Sequence, residues 1–323
     1  MYSQRAIIRE FWTPSLQPPT PGHPFHATRG SMDLSVRMEG FLLTVVVQTV
    51  DEILSDCEEA VKKFHDPDPY AMHQVALAPC SPFSVSGELL RESAKLARRL
   101  KVRLHTHLAE TKDEENFTLS HFHMRPLEYM ESLGWTGDDV WYAHGIHFTD
   151  EELKYLTRTK TGVAHCPISN MKLSSGIAKI PQMLELGVPV GLAVDGSASN
   201  DGSNLLEEMR VAYLLHRLNS SNQAPVLKMA TAGSASLLGR EKLGRIAPGM
   251  AADFFLVDLN RLELVGAQFD VTSMLCTVGL KSSVDYTVVN GNVVVKEGKL
   301  TGIDEEKVTE EANALVTDYL NQP

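Results

Sequence analysis

The feature that most constrains this chain is a regular alternation of short apolar, strand-like runs with helical stretches between residues 25 and 218. The strand-like runs are residues 25–28, 75–78, 102–107, 140–144, 162–165 and 190–194. Between them, Ile53, Leu54, Cys57, Ala60, Val61 and Phe64 recur at helical spacing, and Leu89, Leu90, Ala94, Ala97 and Leu100 do so again. Residues 126–133 predict a helix stopped at Gly134, and Thr149-Asp150-Glu151-Glu152 is a capping box that opens another. Helical stretches at residues 180–186 and 204–218 complete the series. Strands separated in this way predict an α/β fold, a parallel sheet closed or wound with helices outside it. Four strands end in an ionisable residue, namely His107, His144, His165 and Asp195. One histidine at a strand end is more often a packed residue than a ligand. A series of four suits a (β/α)8 barrel, where sites are assembled at the C-terminal ends of the strands.

Residues 104–111 read LHTHLAET. Strand alternation puts Arg103, His105 and His107 on one face, with Leu104 and Thr106 on the other. Beyond His107 the chain leaves the strand, so Glu110 can fold back over its tip. A metal-ligating imidazole with a carboxylate three residues on is a hydrolytic constellation. His105 is expected one layer deeper, packed and hydrogen-bonded. The His121-Phe122-His123 pair is expected to be solvated in the polar approach to a helix.

The formal net charge of -11 argues against a nucleic-acid polymer or a membrane surface as partner, since both attract a basic face. Cys57, Cys80, Cys166 and Cys276 show no paired spacing, which predicts free thiols and a cytoplasmic setting. The longest apolar run, residues 40–50, is too short to span a bilayer, and the first twenty residues lack the order of a signal peptide. The chain divides into a proline-interrupted lead-in (1–23), a barrel (24–239), a small β-domain (240–302) and a terminal helix (303–323). Asn290-Gly291 marks a hairpin in the third segment. Val308, Ala312, Leu315, Val316 and Tyr319 form one helical face in the fourth, expected to be packed.

The segments LHTHLAETKDEE, WYAHGIHFTDEEL, GVAHCPISNMKL and VGLAVDGSASNDGSNLLEEMR resemble successive strand ends of the amidohydrolase superfamily, in its branch of purine and triazine aminohydrolases. FHATRGSM, ALAPCSPFSVS and VDGSASND add a resemblance to the 8-oxoguanine deaminase and hydroxyatrazine ethylaminohydrolase families. The likeness implies hydrolysis of an exocyclic C–N bond of an oxidised purine or related heterocycle, with release of ammonia or an amine; a triazine or guanine is the alternative substrate. It implies one divalent metal, zinc first and iron or manganese next, with His107 and Asp195 among its ligands. Glu110 is then the proton shuttle, His144 orients hydroxide and polarises the substrate, and Asp195 takes a proton from water. His165, Asn170 and Ser197 are candidate substrate contacts, although helix caps and turns explain Asn and Ser equally well.

The family carries a His-x-His pair at the end of its first barrel strand, and no such strand is seen before Phe25. The expectation is therefore an incomplete (β/α)8 TIM-type barrel with strands three to eight visible and a remnant of the small β-domain. Open edges and exposed apolar faces would favour association, a homodimer included. A catalytically silent homologue or interaction protein is the competing expectation.

Overall fold

The alternation of side chains along the strands separates two apolar layers. Val75, Leu77, Leu104, Leu108, Val140, Tyr142, Val163, Val190 and Leu192 face outward and share one buried cluster with Ile53, Leu89, Met130, Leu153, Leu156 and Met183 from the surrounding helices. Ala76, Trp141 and Ala164, one residue out of phase with these, face inward and pack with Leu237. Each fully buried leucine of the outer layer contributes about 1.5–3 kcal/mol relative to exposure. Gly162 and Gly191 lie where Leu237 enters the inner layer, and a Cβ at either position would collide with that leucine.

The computed structural model describes residues 25–34, 47–220 and 225–321. Its main sheet comprises β1 (Phe25–Ser31), β2 (His73–Pro79), β3 (Leu104–Leu108), β4 (Val140–His144), β5 (Gly162–His165) and β6 (Val190–Leu192). All neighbours are parallel and follow chain order. Helices fill the connections, including Val50–Phe64, Gly87–Leu100, Lys112–Phe122 and Asp150–Thr159. Thr49, Ser86, Thr111 and Thr149 cap these four by accepting from the N–H of Glu52, Leu89, Glu114 and Glu152. The α/β class and the six consecutive parallel strands agree with the sequence reading. Among the described residues β1 and β6 each pair with one strand only, so these six do not close a ring.

A second, antiparallel sheet has the order β10-β9-β8-β7, with β7 at Phe254–Leu256, β8 at Tyr286–Val289, β9 at Asn292–Lys296 and β10 at Lys299–Leu300. Its β8–β9 hairpin turns at Asn290 (φ 45°) and Gly291 (φ 81°), as the Asn-Gly signal predicts. Four expectations need correction. Strand β1 runs on past the predicted 25–28 to Ser31, paired with β2 as far as Pro79, and within it Arg29 is buried with its guanidinium 3.0 Å from Gln48 and 3.1 Å from Asp56. Helix Lys112–Phe122 was not anticipated, and it holds His121 and Phe122, although His121 and His123 are exposed as expected. Strand β6 ends at Leu192, short of residue 194. Helix Glu305–Leu320 exposes its whole length, so its apolar stripe is not packed against the described residues. The lead-in and most of the apolar run at 40–50 lie outside the described residues. No helix among the described residues is long and apolar enough to cross a membrane.

Candidate active site and metal centre

Three strand ends bring the candidate residues together. On the inner face of β3, His105 stacks on Trp141 with ring centroids 5.0 Å apart, and its Nδ1 lies 3.3 Å from the Trp141 carbonyl. Burial, reinforced by the neighbouring His107, lowers its pKa to about 3. His105 is thus the packed, neutral histidine the sequence suggested. His107 stands one step nearer the strand end, with Nδ1 2.6 Å from the Cys80 carbonyl and Nε2 3.9 Å from Asp195 Oδ1. An Nδ1–H held by a carbonyl leaves the Nε2 lone pair facing the site, which is how metal-ligating histidines are commonly oriented.

Strict alternation would place His144 with Val140 and Tyr142 on the helix side of the sheet. Its backbone instead adopts φ 71°, and its Nε2 lies 3.7 Å from Glu110 Oε2 and 4.0 Å from Asp195 Oδ2. Asp195 (φ 66°) and Ala109 (φ 54°) are also left-handed. Non-glycine residues in that region cost about 1–3 kcal/mol each and concentrate at functional sites. His144 Nδ1 is 2.8 Å from Asn170 Oδ1. Burial lowers the pKa of His144, the neighbouring His107 adds to the effect, and the Glu110 and Asp195 carboxylates oppose it.

Glu110 is aimed by its loop. Ala109 donates its N–H to Glu114 Oε1 at 2.7 Å, and its carbonyl accepts from the N–H groups of Ile146 and His147 at 2.8 and 2.9 Å. The chain then turns so that Glu110 Oε1 accepts from the Ser175 hydroxyl at 3.1 Å. Glu114 is itself buried, and burial pushes its carboxyl up to about 8 even though backbone N–H groups of Ala109 and Glu110 oppose the shift.

Asp195 is secured on one oxygen. Its Oδ2 accepts from Ser169 at 2.5 Å and from Ser199 at 2.9 Å, while Oδ1 faces His107. Burial alone would raise this carboxyl. The Ser169 hydroxyl, the two imidazoles and the Gly196 N–H outweigh burial and hold it below the usual carboxylate range. His107, His144 and Asp195 offer one donor atom each, all within 4.8 Å of one another. Two imidazole nitrogens and an ionised carboxylate are a donor set that suits a divalent transition metal.

The sequence profile of the amidohydrolase family matches residues 20–294. The chain belongs to the amidohydrolase family. It is 45% identical over 298 residues to hydroxydechloroatrazine ethylaminohydrolase of Pseudomonas sp. (strain ADP), covering 90% of this chain and 62% of that protein. It is 44% identical to 8-oxoguanine deaminase of Pseudomonas aeruginosa, covering 86% of this chain and 62% of that protein. The chain thus spans a little under two thirds of the length of both relatives. Among solved structures it is similar to atrazine chlorohydrolase from Arthrobacter aurescens TC1 complexed with zinc, at a TM-score of 0.87 and 34% identity. That match covers 91% of this chain and 66% of that one. An adenosine deaminase from Xanthomonas campestris with bound zinc matches at a TM-score of 0.80 and 25% identity, over 96% of this chain and 67% of that one.

Within this family framework His107, Glu110, His144 and Asp195 converge, and the three candidate substrate contacts do not behave alike. His165 is fully buried on the outer face of β5, its Nε2 3.0 Å from Nε2 of His216 on helix Leu205–Ser220. An imidazole so placed packs against that helix rather than facing His107, Glu110 and Asp195, because His165 follows Val163 to the helix side. Asn170 is buried against His144 rather than lining an open wall. Ser197 is exposed at the start of helix Ser197–Asn200, and it is Ser199 that reaches Asp195. Sequence reasoning passed over Glu114, Ser169, Ser175 and Ser199. Only Glu114 carried a readable signal, since Thr111-Lys112-Asp113-Glu114 has the capping-box spacing. Its carboxylate reaches past the cap to the two residues before it.

Proposed function

We propose that this chain is part of a metal-dependent aminohydrolase that cleaves an exocyclic C–N bond of an oxidised purine of the 8-oxoguanine type or a related heterocycle, releasing ammonia or an amine. The observation that carries the proposal is the convergence of His107, Glu110, His144 and Asp195 from three separate strand ends. The two relatives named above, one acting on 8-oxoguanine and one an ethylaminohydrolase of a triazine, support the substrate class.

His107 and Asp195 would hold the metal, with His144 as the third donor available among the described residues. Zinc fits two imidazoles and a carboxylate, and iron or manganese accept the same donors. Such an ion, when bound, lowers the pKa of water from about 15.7 to about 7. The chain's own groups then move protons. Asp195, ionised and tied through Oδ2, has Oδ1 open to accept a proton from the attacking water. Glu110, steadied by Ser175, carries one water proton to the ring nitrogen, and Asp195 passes the other to the departing amine. Water thus supplies the oxygen of the new ring carbonyl and two hydrogens, one left on the ring nitrogen and one that departs with the amine.

The test is ammonia or alkylamine release by the zinc-supplemented chain with 8-oxoguanine, guanine and hydroxylated triazines. Glu110→Gln is expected to lower the rate by about 10²–10⁴. Absence of release above background across the panel would sink the proposal and favour a catalytically silent homologue.

A further inference from the structure

We infer that Asn170 fixes the tautomer of His144, so that this imidazole presents a bare Nε2, an acceptor, to the centre. The inference deepens the aminohydrolase reading and rests on it for its meaning, but the position of the proton can be measured whether or not the chain turns over substrate.

Asn170 is 1% exposed, and its Oδ1 lies 2.8 Å from His144 Nδ1. An amide oxygen only accepts, so the hydrogen of this bond belongs to Nδ1, and a neutral imidazole carries just one N–H. Nε2 is left without a proton. The far side of the ring agrees with that assignment. Nε2 stands 3.7 Å from Glu110 Oε2 and 4.0 Å from Asp195 Oδ2, beyond the 2.7–3.2 Å of an N–H···O bond. A proton on Nε2 would draw one of those carboxylates into contact.

Asn170 is also held where rearrangement is difficult. It sits on the short helix Pro167–Lys172, where the Ile168 N–H donates to buried Glu208 at 3.1 Å and the Ser169 hydroxyl donates to Asp195 at 2.5 Å. The adjacent residues Ser169 and Asn170 therefore grip Asp195 and His144. The Nδ2 of Asn170 is buried with no hydrogen-bond partner among the described residues. A buried amide hydrogen left unsatisfied is a cost that a small apolar residue would avoid, so the oxygen is what the position requires.

The consequence separates two roles for His144. A histidine that polarises a substrate atom must donate from Nε2, which is the role the family resemblance suggested. With Asn170 in place, Nε2 instead offers a lone pair, suited to accepting a proton or joining His107 and Asp195 as a ligand. Asn170 is a positioning residue, since it acts through the His144 imidazole.

The experiment is a long-range ¹H–¹⁵N spectrum of the full chain labelled at histidine, metal-free in chelator, with His144 assigned from its loss in His144→Gln. The wild-type chain is expected to show the Nδ1–H tautomer in at least tenfold excess, the worth of one hydrogen bond of about 1.4 kcal/mol. Asn170→Leu should bring the ratio to parity or below. Asn170→Asp, whose carboxylate still accepts, should restore a protonated Nδ1, which a purely space-filling role would not. An Nε2–H tautomer in the wild-type chain overturns the inference even if neither variant folds, and so does an unchanged ratio in a folded Asn170→Leu. Failure of the ammonia assay alone would leave the tautomer result standing.

Discussion

Replacing Glu114 by glutamine isolates the titration of a buried carboxyl that shapes the Glu110 loop. Glu114 is 1% exposed, and burial pushes its pKa from 4.5 to about 8, against the opposing N–H groups of Ala109 and Glu110. The folded state therefore binds a proton that the unfolded state releases across that window. The resulting stability is fully present below about 4.5 and is lost as the pH rises through about 8. At 1.36 kcal/mol per pKa unit the whole window is worth on the order of 5 kcal/mol, of which about 2 kcal/mol falls between pH 6 and 8. Glutamine has no such titration, so its stability relative to the wild-type chain should rise by about 2 kcal/mol over that interval. Any constant offset reports the lost acceptor, and only the pH-dependent part reports the carboxyl. Urea unfolding followed by tryptophan fluorescence at pH 6, 7 and 8, at matched ionic strength, measures it. A difference between the two proteins that stays constant across the series would refute the reasoning, because it would mean that the two N–H bonds outweigh burial and Glu114 stays ionised.

Acid should act on a different pair. Burial holds His165 well below its ordinary value and lowers His216 to about 4, so their stabilising contribution, present above about 6.5, is lost as the pH falls through about 4. His216 alone accounts for on the order of 3 kcal/mol, and an equal acid slope in His216→Leu would argue against it. Three protein donors among the described residues predict an exchangeable zinc, removed by dialysis against chelator and weakened further, by at least about tenfold, in Asp195→Asn. One zinc per chain surviving that dialysis would overturn this expectation.

The parts of the fold that could be read in advance are those where burial imposes a period. Strands β2 to β5 announce themselves because their outer residues meet helices, and the strand ends follow from the strands. Helix Lys112–Phe122 was hidden because Glu114 and Thr118 share its buried positions with Phe117, which erases the apolar repeat. The helix at Glu305–Leu320 shows the converse: its stripe signals helix formation, while contact depends on what lies opposite. At the site, His107 and Asp195 were legible from alternation and resemblance. The placement of His165 was also legible in principle, since Val163 on the same face is plainly a core residue. His144 was legible from the resemblance alone, because its orientation depends on a backbone dihedral that strand alternation does not encode. The serines were invisible for a simpler reason. A hydroxyl that grips a carboxylate 26 residues away looks, in sequence, like any turn serine.

The left-handed backbones of His144 and Asp195 set stability against chemistry at the same two positions. Each is a place where glycine would relieve about 1–3 kcal/mol of backbone strain and at the same stroke remove the group that faces the centre. The fold thus holds its imidazole and its carboxylate against the preference of its own backbone.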